Sequence, residues 1–83
     1  MKYVAKIEVS LKPGHSNPEG ETTARLLVEL GYKVASVDVS KVYIITLDAS
    51  SPEEVKAKAE EMSKRLLANP TKDNYTISVV EEK

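Results

Sequence analysis

The sequence contains no cysteine, no tryptophan and no phenylalanine, and it has one histidine and three glycines among 83 residues. Without cysteine there are no disulfides, thiolate nucleophiles or thiolate metal sites, and a single histidine would leave a transition metal to carboxylates alone. The cytoplasm is therefore the expected compartment. Charge of one sign is also lacking, with 12 Lys and Arg against 13 Asp and Glu, so no basic field exists to gather nucleic acid or anionic lipid. Long apolar runs are missing too. Residues 1–12, MKYVAKIEVSLK, alternate lysine with apolar side chains, a pattern of neither a signal peptide nor a membrane span, so Met1 is expected to lie close to the mature start.

The stretch GHSNPEGET at residues 14–22 holds two of the glycines and the histidine. A phosphate-binding loop of the form G-x-x-x-x-G-K-[ST] cradles phosphate on backbone N–H groups beside a neutralising lysine. Here five residues separate Gly14 from Gly20, and Glu21 stands where the lysine belongs, so the carboxylate would repel the phosphate. The local chemistry instead describes a strand exit followed by a helix cap. Lys12-Pro13-Gly14 ends a strand, Asn17 or Ser16 can accept from the first free helical N–H groups, Pro18 presets φ for a first turn, and Glu19 and Glu21 suit the positive helix end.

Before that exit Tyr3, Ala5, Ile7, Val9 and Leu11 alternate with polar residues, which predicts a strand with one buried face. After it Thr23, Leu26, Leu27 and Leu30 recur at helical spacing up to Gly31, a left-handed terminator. Residues 34–49 return to β character. Two strands reversing near Ser40-Lys41 are expected, with a single bent strand as the alternative because Ser-Lys is a poor hairpin turn. Val42 and Ile44 fall on the face opposite Tyr43 and Ile45, so this strand is expected to be buried on both sides. Ser51-Pro52-Glu53-Glu54 opens a second helix with a capping box, whose stripe is Val55, Ala59, Met62 and Leu66. Asn69-Pro70 ends it, and Tyr75, Ile77 and Val79 mark a last strand.

The order β-α-β-β-α-β predicts an α+β, ferredoxin-like two-layer sandwich: a four-stranded antiparallel sheet with two helices on one face, in a single domain over residues 1–83. Its expected core is Ile7, Val9, Leu27, Leu30, Ile45, Val55, Met62, Leu66 and Ile77. Several activities of this fold are excluded by composition. Base stacking in an RNA-recognition module needs sheet aromatics, and tyrosine is the only aromatic here. A metal chaperone would show C-x-x-C, and an acylphosphatase an arginine in the loop after the first strand. His15 has no oriented nucleophile in sequence reach and reads as a solvated turn residue, while Glu53-Glu54 and Glu60-Glu61 are adjacent residues that do not face one another on a helix. No catalytic, cofactor-binding or metal residue is assigned. A small-molecule regulatory domain of the ACT type survives, since its sites are largely backbone.

Taken together, LKPG at residues 11–14, NPEG at 17–20, LGY at 30–32, the central V-x-V-S-K-V and LLANP at 66–70 followed by Tyr75 resemble the PurS family. That family is the small subunit of phosphoribosylformylglycinamidine synthase. Asn17 stands where the family usually has aspartate, which keeps a cap but loses charge, and Ser40-Lys41 replaces Gly-Lys at the expected turn. The resemblance implies a noncatalytic assembly role. A glutaminase subunit releases ammonia, a large synthetase subunit uses ATP and Mg to amidate formylglycinamide ribonucleotide, and the small subunit bridges them without binding a cofactor of its own. Partner contacts are expected at the corners Lys12, Pro13, Asn17, Pro18, Lys41, Asn69 and Pro70. Self-association into a dimer or larger homo-oligomer is expected through Val42 and Ile44, with neither nucleic acid nor membrane as a partner.

Overall fold

The computed structural model describes residues 1–82. Three strands form one antiparallel sheet: β1 (Lys2–Leu11), β2 (Lys41–Asp48) and β3 (Asp73–Glu81), in the order β2-β1-β3. Helix α1 (Pro18–Glu29) lies between β1 and β2, and helix α2 (Pro52–Met62) continues through a π-helical turn, Ser63–Leu67, before β3. The central strand carries the core. Tyr3, Ala5, Ile7 and Val9 are buried on its odd-numbered face, together with Val55, Ala59 and Ala68. Tyr43, Ile45, Leu47, Ile77 and Val79 pack around them, which settles which face of β2 points inward.

The expected four-stranded sheet is corrected to three strands, because residues 34–40 form no ladder. The chain makes no reversal at Ser40-Lys41. Neither Ser40 nor Lys41 takes the positive φ that a tight hairpin of the favoured kinds requires, and residues 34–40 lead into β2 without being strand themselves, so neither the two-strand expectation nor the bent-strand alternative describes them. Nor do two helices share one face. Helix α2 lies over β1 and β3, whereas α1 buries only Gly20. Leu27 is half-buried and Leu30 is 74% exposed, so neither belongs to the core. The molecule measures 50 × 30 × 14 Å with a radius of gyration of 16.3 Å, against about 12 Å for a compact chain of this length.

The second helix differs from its predicted phase at its C-terminal end. Ser51 Oγ accepts from the Glu54 N–H at 3.2 Å as expected of a cap, but the Glu54 carboxylate accepts from the Ser50 hydroxyl at 2.7 Å. That bond holds the Glu54 carboxyl below the usual carboxylate range. Further on, the Ala68 N–H reaches back five residues to the Ser63 carbonyl, and the extra residue rotates the stripe. Ser63 becomes fully buried, its hydroxyl donating to the Ala59 carbonyl at 2.8 Å. Met62 is left half-buried and Leu66 83% exposed, with Leu67 and Ala68 on the core instead.

Ile7→Ala should cost about 2–5 kcal/mol in denaturant unfolding, as a cavity in a fully buried position. Leu66→Ala should cost less than about 0.5 kcal/mol, as an exposed substitution; equal losses at the two positions would restore the unshifted helical phase.

Candidate functional site

The polar corners converge at one end of the sheet. Where β1 exits, the Lys12 N–H donates to the Lys72 carbonyl at 2.7 Å and the Lys12 ammonium to the Pro70 carbonyl at 3.1 Å. Gly14, at φ +90°, lets the chain turn so that the His15 N–H returns to the Lys12 carbonyl at 3.3 Å. Asn17 then bonds in two directions. Its Oδ1 accepts from the Gly20 N–H at 3.0 Å, capping α1, and its Nδ2 donates to the Val39 carbonyl at 3.2 Å. Across the corner, Asn69 Oδ1 accepts from the Thr71 N–H at 2.9 Å and Asp73 Oδ2 from the Asn69 N–H at 2.8 Å. Asn69 therefore organises a turn through its side chain, with its backbone outside the left-handed region.

These bonds bring the predicted contact residues Lys12, Pro13, Asn17, Pro18, Lys41, Asn69 and Pro70 to the same end of the molecule. Two adjoining hollows of 500 and 250 Å3 open between them. The larger is lined by Lys12, His15, Asn17 and Asp38, the smaller by Asn17, Lys41, Tyr43 and Lys72. Lys12 is committed to backbone carbonyls, so its charge braces the corner. Among the described residues no group of three or more His, Cys, Asp or Glu side chains is placed to hold a metal, and no helix is long and apolar enough to cross a membrane.

Beyond this corner an arm leaves the sheet, made of α1 and residues 32–40. Its two halves are held at their base, where Gly20 lies so close to the Val37 carbonyl that a Cβ could not be accommodated. Along the arm Leu26, Val28, Leu30 and Tyr32 are all exposed. The sheet shows the matching deficiency: among the described residues no strand pairs with the outer edge of β2, and its inward residues Tyr43, Ile45 and Leu47 are covered only in part. On the opposite, helix-free face Val42 and Ile44 are exposed at 53% and 65%, and Val80, two strands away on β3, is exposed as well. Sequence reasoning missed the arm as a separate element. The signals available for it were the poor turn at Ser40-Lys41 and a glycine inside the first helix.

The comparisons with known proteins bear on this whole arrangement. A family model described as "PurS: Phosphoribosylformylglycinamidine (FGAM) synthase" matches residues 4–81. The chain belongs to the PurS family. It is 40% identical over 81 residues to the phosphoribosylformylglycinamidine synthase subunit PurS of Methanothermobacter thermautotrophicus, covering 98% of this chain and 96% of that one. The crystal structure of Methanocaldococcus jannaschii PurS, described as one of the subunits of formylglycinamide ribonucleotide amidotransferase in the purine biosynthetic pathway, superposes with a TM-score of 0.87. That pair is 40% identical, with 98% of this chain and 99% of that chain covered. Thermus thermophilus PurS gives a TM-score of 0.90 at 33% identity, with both chains fully covered. The extended, three-stranded shape is thus shared with experimentally solved PurS chains.

Gly20→Ala should disturb the base of the arm, since the added Cβ meets the Val37 carbonyl and lies 3.2 Å from Asn17 Oδ1. The expected cost is about 1–3 kcal/mol, as for an overpacked site, with faster amide exchange in α1 and little change in β1. Unchanged exchange in α1 would mean that residues 37–39 do not brace the helix.

Proposed function

We propose that this chain is a noncatalytic assembly subunit of phosphoribosylformylglycinamidine synthase in de novo purine biosynthesis. Acting in the cytoplasm as one domain over residues 1–83, it bridges the glutaminase and the ATP- and Mg-dependent synthetase subunits so that ammonia made at one site is used at the other. The observation that carries this reading is similarity over nearly the whole chain to proteins described as subunits of that synthase. The site agrees in kind. A corner braced by reciprocal backbone and side-chain bonds presents a fixed surface, and the residues on it, Lys12, Pro13, Asn17, Pro18, Lys41, Asn69 and Pro70, are the proposed partner contacts.

The same reading makes the chain a homo-oligomer. One chain carries both halves of a complementary contact: an arm with exposed Leu26, Val28, Leu30 and Tyr32, and a β2 edge with free backbone groups beside partly covered Tyr43, Ile45 and Leu47. An exposed edge strand is a template for another strand. Residues 34–39, with Ala35, Val37 and Val39 in alternation, have the pattern to fill it from a second copy, while α1 covers the open side of the inner face. Mutual exchange closes with two-fold symmetry.

Sedimentation at micromolar concentration should therefore show at least a dimer, and Leu30→Asp should shift it toward monomer; a clean wild-type monomer would overturn the exchange. The bridging role is tested by reconstitution. Omitting this chain should collapse glutamine-dependent synthesis and leave ammonia-dependent synthesis on the large subunit, and His15→Ala should leave both rates nearly unchanged. Equal glutamine-dependent rates with and without the chain would refute bridging.

A further inference from the structure

The smaller of the two hollows at the corner combines an apolar floor with a charged rim. Val9, Leu11, Tyr43 and Leu67 make the floor, while Lys41 and Lys72 stand on the rim. These lysines flank the end of β1: Lys41 opens β2 opposite Val9, and Lys72 immediately precedes Asp73, which pairs with Leu11. Two strand spacings, about 10 Å, separate their backbones, a gap that two lysine side chains can close from opposite sides. Among the described residues the ion pairs are Lys64–Glu60 and Arg65–Glu61, so neither rim ammonium is neutralised within the chain. The third lysine of this end, Lys12, is spent on the Pro70 carbonyl. Asp73, the one carboxylate lining the hollow, accepts from the Asn69 N–H.

We infer that this hollow is a socket for a projecting segment of another subunit of the synthase, one that carries an acidic side chain beside an apolar one. The carboxylate seats between Lys41 and Lys72, and its apolar neighbour covers Val9, Leu11 and Leu67. The inference rests on the assembly reading and deepens it by stating the chemistry that the corner recognises. Two cations held close without a counter-ion repel each other, and a carboxylate between them relieves that repulsion while accepting charge-assisted hydrogen bonds. The apolar floor keeps water from one side of the group, so the attraction is screened less than at an open surface. Asp38 fixes the orientation. It lines the adjoining larger hollow and not this one, so a carboxylate placed there is repelled, and the wrong docking is penalised as well as the right one favoured.

Other occupants fit this site less well. At 250 Å3 the hollow falls below the roughly 300–1,000 Å3 of small-molecule sites. Two free lysines, on a chain with 12 Lys and Arg against 13 Asp and Glu, make no field that could follow a nucleic-acid backbone. A protein segment needs only one or two side chains to enter, and the hydrogen-bonded turns around the hollow hold its rim in place before that segment arrives, which lowers the cost of binding.

The test is the affinity of the full chain for the glutaminase and synthetase subunits, each alone and both together, with glutamine and nucleotide present and at several ionic strengths. Lys41→Glu and Lys72→Glu should each weaken binding at least about tenfold, and Lys72→Arg should stay within about twofold of wild type. The double variant Lys41→Gln/Lys72→Gln should flatten the fall of affinity with added salt. Lys56→Glu, on α2, makes the same change of net charge away from the corner and should bind like wild type. All three lysines are exposed, so these substitutions leave the fold in place. Wild-type affinity in the variants at both rim lysines overturns the inference and leaves the assembly reading standing, whereas a wild-type chain that binds neither subunit overturns both. The inference alone also falls if Lys56→Glu weakens binding as much, which would make net charge the cause. It falls equally if the rim variants lose self-association and keep subunit binding, or if the chain binds inorganic phosphate through these lysines while their replacement leaves subunit affinity unchanged.

Discussion

The course of the chain through Ser40 and Lys41 governs the shape of everything else. Ser-Lys is a poor pair for a tight hairpin and neither residue takes a positive φ, so the backbone passes from residues 34–39 into β2 rather than folding back beside it. That one continuation removes a fourth strand from the sheet, carries α1 past the sheet's end and leaves the outer edge of β2 unpaired. Asn17 then stabilises the outcome. By capping Gly20 with one side-chain atom and holding the Val39 carbonyl with another, it ties the start of the helix to the extended segment and gives the arm a defined base.

A monomer of this shape has little core to rely on. Among the described residues the largest completely buried side chains are Ile7, Val55 and Ser63, and one of them is a serine. Short chains already bury a smaller fraction of their surface than larger domains do, and projecting α1 into solvent removes a further apolar layer. Leucines exposed along an amphipathic helix are costly to leave in water, and an edge strand with free backbone groups invites pairing. Both deficits would be met by the second copy proposed above, which would couple folding to association and make apparent stability rise with protein concentration.

Much of this was legible in the sequence, and the limits have physical causes. The period-two pattern of β1 identified its buried face residue by residue, because central strands packed on one side obey that period strictly. Pro18 and Pro52 with their preceding Asn17 and Ser51 marked both helix starts, since caps are local chemistry. The stripe on α1 was a correct reading of amphipathicity attached to the wrong partner: helical spacing states that a face is to be covered, and says nothing of which chain covers it. The phase error at Met62 and Leu66 has another origin. A π-turn changes the period by a single residue and leaves no compositional mark beyond a small polar residue, Ser63, able to return its hydroxyl to the helix. The candidate corner was found for partly independent reasons, because turn and cap residues concentrate where elements meet, and in this fold the meeting points of β1, α1, β2 and β3 lie at one end.

For a subunit proposed to join two others, this distribution of surfaces is coherent. The arm and the β2 edge are complementary in kind, as the proposed pairing of identical chains requires. The corner is polar, braced by its own hydrogen bonds and free of exposed large apolar side chains, so it can remain in water until a partner arrives. The helix-free sheet face lies between these extremes, with Val42 and Ile44 beside Lys6 and Glu8. Mixed composition of that kind characterises contacts that form and separate, as opposed to permanent ones. Three surfaces of graded polarity on a chain of 83 residues would let the proposed pairing and the proposed contacts with other subunits proceed without competition for the same side chains. The cost is a thin core, which the proposed pairing would make good.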